Sequence, residues 1–236
     1  MTVPNTSERL VHPEECEHCP AREVGLFSDI TGEERDRLLG RLRHLRGPAG
    51  TVLYREGAPG HDIFVLRLGF VKVLALAPDG SERIVRLARP GDVLGLSMLA
   101  GRTHPRTSVA LTQFDACRVP VDLVIDEAHR VKGLERKLFA QWESSLETAY
   151  RFLAELATGS APVRLARLLL FLLEGNPYGI CPAISREEMG SVLGITTETA
   201  SRIVADLKRH GVISETGHVF RCDTERLHAL TTGGAG

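Results

Sequence analysis

The sequence has no long hydrophobic run, no marked excess of either charge and few cysteines. No stretch reaches about 18 consecutive apolar residues, the length that a membrane-spanning helix needs, so we expect no membrane partner. The 29 lysines and arginines nearly balance 30 acidic residues, and a net charge of −1 excludes a uniformly basic nucleic-acid-binding protein. The polar start, MTVPNTSERLVHPEE, is unlike a secretory signal peptide. These absences predict a cytoplasmic protein that recognises its partners through local patches.

The five cysteines are odd in number and unevenly spread. In a chain that lacks an export signal, such cysteines are more often free thiols or metal ligands than a disulfide framework. Cys16 and Cys19 form a CxxC pair, which is typical of zinc sites, iron–sulfur sites and redox pairs. A thiol oxidoreductase would place this pair at a helix start within a βαβ unit, but its neighbours form a polar arm. The pattern argues against an enzyme, and residues 1–28 are interpreted as an N-terminal arm, disordered to about residue 15.

The middle of the chain has the sequence pattern of an antiparallel β domain. The leucines of residues 31–45 recur at helical spacing and predict one short amphipathic helix. From residue 47 to residue 120, short β-rich runs alternate with glycine, proline and aspartate turns, as in a sandwich or jelly roll. We therefore assign residues 29–120 to a β-roll sensor domain and predict an α+β fold.

A long helix, over residues 121–158, follows the β domain. Six apolar residues in it follow the alternating spacing of three and four that forms a coiled-coil seam, namely Phe139, Trp142, Leu146, Ala149, Leu153 and Leu156. Such a seam either joins two copies of the chain or packs on the chain's own sheet. Because it continues beyond the β domain, a homodimer is the favoured interpretation. The sequence Gly159-Ser160-Ala161-Pro162 then breaks the helix and opens a C-terminal domain over residues 159–236.

Two short helices joined by a tight turn are predicted in SREEMGSVLGITTETASRIVADLKRH. Ser185 and Glu188 have the spacing of a capping box, and Gly194 suits the left-handed residue that ends the first helix. Thr196 or Thr197 then caps the second helix. The following GVISETGHVFRC predicts a β-hairpin, so the C-terminal domain is a winged helix-turn-helix.

The second helix has an exposed polar face near its N-terminus. Glu198, Ser201 and Arg202 are spaced i, i+3 and i+4, so they share one face. This is where helix-turn-helix proteins place their base-reading side chains. Thr197 and Lys208 extend the candidate DNA-binding surface. The alternative is an ordinary helical hairpin with a solvated polar face.

Three stretches, LYREGAPGHDIFVLRLGFVKVLAL, RPGDVLG and LGITTETASRIVADLKRHGVI, together resemble the Crp/Fnr superfamily of bacterial transcription regulators. The resemblance covers nearly the whole chain. It implies an N-terminal cyclic-nucleotide-binding-like β-roll (a jelly roll), a long dimerisation helix and a C-terminal winged helix-turn-helix. It also implies a homodimer that binds palindromic double-stranded DNA through the major groove and works with RNA polymerase.

The second helix resembles the recognition helix of the Fnr-like branch, whose E-x-x-S-R pattern reads TTGAT-like half-sites and is matched by ETASR. By this resemblance, Glu198 accepts from a cytosine amino group, Arg202 donates to guanine, and Ser201 contacts a thymine or a phosphate. Each role suits its chemistry, because guanidinium groups pair bidentately with guanine and carboxylates accept from cytosine.

The resemblance also bears on whether the β-roll binds a cyclic nucleotide. In the cyclic-AMP-binding branch, a glutamate follows the G-D-x-x-G turn and holds the ribose, whereas Leu96 stands there and cannot accept from a hydroxyl. Arg106 and Thr107 do stand at the phosphate-binding position. With one element present and one missing, a cyclic nucleotide is the less favoured effector.

Fnr proteins hold a [4Fe–4S] cluster with four cysteines, and Cys16, Cys19 and Cys117 match three of those positions. Four thiolates are the usual requirement, and the third N-terminal cysteine is absent. Nearby residues that could complete the set are His12, Glu15, His18 and Glu23. The alternatives are a haem, or no cofactor with Cys117 as a buried small hydrophobe. Cys181 and Cys222 match no family ligand and are interpreted as structural or incidental thiols.

The dimer seam carries a further implication of the resemblance. In oxygen-sensing Fnr proteins, an aspartate in the seam weakens the dimer unless the cluster is intact. Ala149 stands at the corresponding position, and a small apolar residue there removes charge repulsion and its desolvation penalty. We therefore expect a regulator that responds to oxygen, redox state or nitric oxide and dimerises even without a cluster.

Overall fold

The computed structural model describes residues 6–11, 13–17, 19, 26–27, 30, 32–76, 78, 80, 82–174, 176 and 178–232. The chain divides into two compact units, Met1–Ala149 and Tyr150–Gly236. No helix within the described ranges is both long enough and apolar enough to span a lipid bilayer.

The N-terminal unit is built mainly of short strands. Its strands are β1 (Ser7–Leu10), β2 (Arg43–Gly47), β3 (Val52–Tyr54), β4 (Asp62–Leu68), β5 (Val71–Leu76), β6 (Glu82–Ala88), β7 (Val93–Leu94), β8 (Thr107–Ala110) and β9 (Phe114–Pro120). Its helices are α1 (Pro13–Glu17), α2 (Gly32–Leu39), a 3₁₀ helix (Leu96–Ala100), α3 (Val121–Arg130) and most of α4 (Leu134–Arg151). The strands pair antiparallel in two sheets, in the orders β1-β2-β9-β4-β7 and β3-β8-β5-β6.

Strand β4 shows how the two sheets are layered, because its side chains alternate between two hydrophobic cores. Phe64 and Leu66 pack among residues of the second sheet. Ile63 and Val65 pack on the opposite face, among buried residues of α2 and α3. The first sheet therefore has the second sheet on one face and helices on the other, which is the layered β-roll that the sequence predicts.

Two expectations for the start of the chain are wrong. Part of the predicted disordered arm is strand β1, which pairs with β2 at the sheet edge. The single helix predicted over residues 31–45 ends at Leu39, and residues 43–47 form β2 instead. Leu45 fits the helical spacing, but β2 pairs with both β1 and β9, and this backbone pairing overrides the local pattern.

The C-terminal unit holds helices around a small three-stranded sheet. Its elements are a π-helical turn (Phe152–Leu156), α5 (Ala161–Leu173), β10 (Ile180–Pro182), α6 (Arg186–Leu193), α7 (Thr197–Arg209), β11 (Ile213–Thr216), β12 (Val219–Cys222) and α8 (Thr224–Thr232). The sheet order is β10-β12-β11, and β11 and β12 form the predicted hairpin wing. The predicted fold class, a β-roll followed by helices and a winged helix-turn-helix, is confirmed.

The helix-turn-helix forms where the sequence predicts it because its caps are in place. The Ser185 hydroxyl accepts from the Glu188 N–H at 3.0 Å and opens α6, which Gly194 ends with a φ of 63°. The Thr196 hydroxyl accepts from the Thr199 N–H at 3.2 Å and opens α7. Of the two threonines that could cap α7, the structure selects the first.

The helix predicted over residues 121–158 is interrupted. Gly133, with a φ of 93°, separates α3 from α4, and α4 passes into the π-helical turn at Phe152. The division between the compact units falls inside this helical stretch, at residues 149 and 150, rather than at the Gly159-Pro162 break. That break nonetheless precedes α5, which begins at Ala161.

Candidate functional site

The N-terminal end of α7 presents an exposed polar tip. The side chains of Thr197, Glu198, Ser201 and Arg202 are exposed, while the apolar positions of the same helix are buried beneath them. Neither Ser201 nor Arg202 makes a side-chain hydrogen bond or ion pair with any residue that the structure describes. Hydrogen bonds from its own backbone N–H and then from the Thr196 hydroxyl lower the pKa of Glu198. The tip therefore offers a charged acceptor beside a free guanidinium donor.

The wing is tied to both helices of the helix-turn-helix through one carboxylate. Glu215 of β11 accepts from Arg186 of α6 at 2.8 Å and from Lys208 of α7 at 3.0 Å. The Arg186 guanidinium also lies over the Phe220 ring, 5.3 Å from its centroid. The hydrogen bond from Lys208 is the main cause that lowers the pKa of the Glu215 carboxyl. We name this set of four side chains the wing clamp.

Lys208, predicted at the DNA-binding surface, is thus held by Glu215 and contributes to the position of the wing. Sequence reasoning missed Arg186 and Glu215. They are 29 residues apart, and no local pattern pairs them. The sequence did offer one indication of this ion pair, namely an acidic residue in the predicted hairpin directly after a helix with a basic C-terminal end.

Helix α4 carries a stripe of exposed apolar side chains. In the N-terminal unit, Phe139, Trp142 and Leu146 are 72%, 43% and 51% exposed. Ala149, also predicted in the seam, is half-buried, and Leu153 in the C-terminal unit is 62% exposed. Several exposed apolar side chains along one helix are unusual on a monomer and are typical of an interaction surface.

Leu156 is the one predicted seam residue that the structure turns away from this stripe. It is 3% exposed. It lies one turn after Phe152, which is also buried, and the π-helical turn that contains both packs against α5. The wider π turn breaks the three-four spacing on which the prediction relied. Leu156 therefore belongs to the core of the C-terminal unit.

The three cysteines predicted as metal ligands gather on the helix-facing side of the first sheet. Cys16 and Cys117 both border the core between that sheet and the helices. The Cys19 N–H donates to the Cys16 carbonyl at 3.4 Å. Cys117 of β9 lies opposite His44 of β2 in the strand register, so their side chains share a face.

A buried cation, Arg67 of β4, lies among these groups. Its Nε donates to Cys19 Sγ at 3.2 Å, and its Nη1 donates to Asp115 Oδ1 at 3.1 Å. Burial and then the Arg67 charge lower the pKa of His44 to about 4, so the neutral ring accepts from Arg67 Nη1 at 2.7 Å. Asp115 also accepts from Arg46 at 2.7 Å. The guanidinium charge is thus compensated where it is buried.

These residues do not complete the ligand set of a [4Fe–4S] cluster. Burial raises the pKa of Cys117 to about 12, which opposes the thiolate form that a metal requires. Glu15 instead pairs with Arg9. Among the residues that the structure describes, no three His, Cys, Asp or Glu side chains are arranged to hold a metal ion. The other candidates for the missing ligand, His12, His18 and Glu23, lie outside the described residues.

The polar residues predicted for a cyclic nucleotide are engaged locally. Arg106 is exposed and its Nη1 donates to the Pro105 carbonyl. The Thr107 hydroxyl accepts from the Glu56 N–H at 3.0 Å, and Leu96 is buried. This arrangement does not assemble a site for both ribose and phosphate.

Comparison with known proteins identifies two domains. Residues 163–230 match the model of a Crp-like helix-turn-helix domain, and residues 45–128 match that of a cyclic nucleotide-binding domain. The chain is 28% identical to transcriptional activator protein anr of Pseudomonas aeruginosa, over 92% of this chain and 93% of that protein. It is 26% identical to a CRP-like cAMP-activated global transcriptional regulator of Mycobacterium tuberculosis, over 86% of this chain and 95% of that one.

Among solved structures, the fold is similar to that of FixK2 from Bradyrhizobium japonicum. The TM-score is 0.69 at 26% identity, covering 79% of this chain and 96% of that chain. The relatives and the fold are those of transcription regulators and not of enzymes.

Proposed function

Since the chain belongs to the Crp/Fnr superfamily of DNA-binding transcription regulators, we propose that it acts as a homodimer on a palindromic operator. The observation that carries this proposal is the exposed polar tip of α7. Base reading in the major groove requires exposed hydrogen-bonding groups. The tip offers the Glu198 carboxylate and the Arg202 guanidinium, and Arg202 has no hydrogen-bond or ion-pair partner among the described residues. Binding of RNA polymerase and a cytoplasmic location follow from this function.

The proposed half-site is TTGAT-like. Arg202 donates to guanine, Glu198 accepts from a cytosine amino group, and Ser201 contacts a thymine or a phosphate. Thr197, at the first turn of α7, extends this surface. Lys208 supports it from the wing clamp.

The exposed stripe of α4 is the proposed dimer interface. Phe139, Trp142, Leu146 and Leu153, with Ala149 between them, supply the apolar face of a two-helix coiled coil. Pairing of two such helices would set the two recognition helices about one DNA turn, ~34 Å, apart. Because α4 begins in the sensor unit and continues into the DNA-binding unit, a change in its pairing would alter that spacing.

The proposed signal is oxygen, redox state or nitric oxide, received at Cys16, Cys19 and Cys117. Two supports are the gathering of these thiols around Arg67 and the relatives named as anaerobic regulators, such as that of Pasteurella multocida at 22% identity. A [4Fe–4S] cluster would use these three thiolates with a fourth ligand from outside the described residues. We therefore assign the response to these three thiols, acting either as cluster ligands or, without a cluster, as redox-active groups.

An absorption spectrum of anaerobically purified protein tests this assignment. Broad brown absorption identifies a cluster, a sharp Soret band identifies haem, and a colourless protein leaves the thiols alone. In a Cys181→Ser/Cys222→Ser background, only the three sensor thiols remain. We expect air to change operator affinity in that background and not after Cys19→Ser is added. An unchanged response after Cys19→Ser would contradict the assignment.

A cyclic nucleotide is the less supported effector, although a cyclic nucleotide-binding domain is present. Leu96 cannot replace the ribose-binding carboxylate. Titration calorimetry with cyclic AMP is expected to show no binding. Saturable binding would contradict this expectation and support a cyclic nucleotide as the effector.

A further inference from the structure

The DNA-binding unit contains two cysteines that the proposed function does not use. Cys181 of β10 and Cys222 of β12 are 1% and 9% exposed, and their sulfur atoms lie 4.0 Å apart. The strand register places Cys181 opposite Phe220, so Cys222 lies diagonally across from Cys181 on the same face of the sheet. Two thiols in contact on neighbouring strands form a dithiol. They can therefore react together, which two isolated buried cysteines cannot do.

The two sulfur atoms differ in character. One of the two thiols donates to the other, and this contact lowers the pKa of Cys222 while it raises that of Cys181. Cys222 also has the larger exposed fraction and ends its strand. Cys222 is therefore the nucleophile of the pair, because the thiolate is the reactive form.

We propose that Cys181 and Cys222 are a modification site for two-electron oxidants of the peroxide class, and that their disulfide weakens DNA binding. The affinity part rests on the proposed function, whereas the formation of the disulfide does not.

The reaction balances in two steps. The Cys222 thiol loses its proton, and its thiolate attacks a peroxide oxygen. The O–O bond breaks, Cys222 becomes a sulfenic acid, and the departing hydroxide takes up that proton to form water. The Cys181 sulfur then attacks the Cys222 sulfur, the S–O bond breaks, and hydroxide departs as water with the Cys181 proton. Two thiols lose two electrons in total, and one hydrogen peroxide is reduced to two waters.

The wing clamp explains how this bond would reach the DNA-binding surface. A disulfide requires an S–S distance of about 2.05 Å, so the 4.0 Å gap closes by rotation of the two side chains together with an approach of β10 and β12 along the diagonal. Phe220 pairs with Cys181 on one side and with Glu215 on the other. A shift of β12 therefore moves Phe220 under Arg186 and displaces Glu215 from Lys208.

The test uses the full-length chain with Cys16→Ser, Cys19→Ser and Cys117→Ser, which retains only this pair. After anaerobic treatment with hydrogen peroxide, we expect mass spectrometry to find residues 181 and 222 linked. Affinity for a TTGAT-containing palindrome should fall by about tenfold and recover with dithiothreitol. The proposal is overturned if both thiols remain open to alkylation after the treatment, or if the linked protein binds this duplex as tightly as the reduced protein.

Matched controls separate the possible causes. Cys222→Ser in the same background should lose both the link and the peroxide effect, and an unchanged peroxide effect would contradict the site. Should that variant fail to fold, phenylarsine oxide decides, because a bridging arsenical adds once to two adjacent thiols and blocks both from alkylation. Independent alkylation of each thiol would count against the site. Failure of the reduced, unsubstituted protein to bind the duplex contradicts the proposed function, whereas the mass spectrum still decides the disulfide.

Discussion

At the N-terminal end of α7, the Arg202 guanidinium is exposed and makes no hydrogen bond or ion pair with a described residue. A bidentate contact with guanine contributes ~1–3 kcal/mol of discrimination. We therefore expect Arg202→Ala to weaken binding to a TTGAT-containing palindrome by that amount, and to leave binding to a scrambled duplex nearly unchanged. Fluorescence anisotropy on both duplexes measures the difference.

Arg209→Ala is the matched control for that experiment. Arg209 lies on the same helix but pairs with Asp206 at 3.0 Å, away from the polar tip. Its removal should affect both duplexes to the same small extent. If Arg202→Ala lowered the affinity for both duplexes equally, Arg202 would not have a base-reading role.

Glu215 gives the DNA-binding unit a dependence on pH. Its carboxyl has a lowered pKa in the folded state, so its ion pairs stabilise the fold fully above the ordinary value of 4.5 and are lost as pH falls below it. We expect Glu215→Gln to reduce the free energy of unfolding by on the order of 1 kcal/mol at pH 7. Thermal melting from pH 7 to pH 3 should show this difference disappearing, and a constant difference would exclude the clamp.

Arg67 compensates a buried negative charge in the sensor unit. Its side chain and that of Asp115 are 7% and 6% exposed, so Arg67→Met leaves the carboxylate with Arg46 alone. We expect a loss of about 3 kcal/mol in the free energy of unfolding, measured by urea denaturation. Arg46→Met, whose side chain is 48% exposed, should lose less than about 1 kcal/mol. Similar losses of unfolding free energy in the two variants would show that the burial of Arg67 does not strengthen its contribution to stability.

At this scale, the sequence could predict contacts that are local and could not predict distant ones. Glu198, Ser201 and Arg202 share a face because helical geometry fixes it, and the exposed tip appears where it was expected. The Arg67 contact with Cys19 spans 48 residues of sequence, so only the folded sheet reveals it.

Among the elements, α4 carries the exposed apolar stripe that we propose as the dimer interface. Leu146→Glu would place a charge in the middle of that stripe, and two such charges would face each other in the paired helix. We expect the variant to sediment as a monomer at micromolar concentration and to lose operator affinity.

The matched control adds the same charge to the opposite side of the helix. Ser144 is exposed and lies two residues before Leu146, well away from the stripe, so Ser144→Glu should remain a dimer. The unsubstituted protein without a cluster should also sediment as a dimer, because Ala149 brings no charge to the seam. A monomeric cluster-free protein would contradict this expectation.

Element type was predictable where caps and periodicity agree, and less so where they compete. Ser185, Gly194 and Thr196 fix the ends of α6 and α7 locally, and the structure keeps these ends. In residues 31–45, the leucine spacing suits a helix, but pairing with β9 claims residues 43–47 for a strand. Leu156 was misplaced for a related reason, since packing against α5 selects a π turn that no heptad pattern shows.

The whole molecule combines a β-roll unit with a winged helix-turn-helix unit, and the sequence pattern already indicates this order. The alternation of short strands and turns predicts the first unit, and two capped helices with a hairpin predict the second. The division inside α4 was not predictable, because it depends on which contacts each half of a continuous helix makes.

The most direct test of the central claim is the stoichiometry of the protein on a palindromic TTGAT duplex, measured by sedimentation together with footprinting. The account predicts two chains per duplex, protection of two half-sites about one turn (~34 Å) apart, and a sharp loss of affinity when one half-site is scrambled. One chain per duplex, with equal affinity for the intact and scrambled sites, would contradict it.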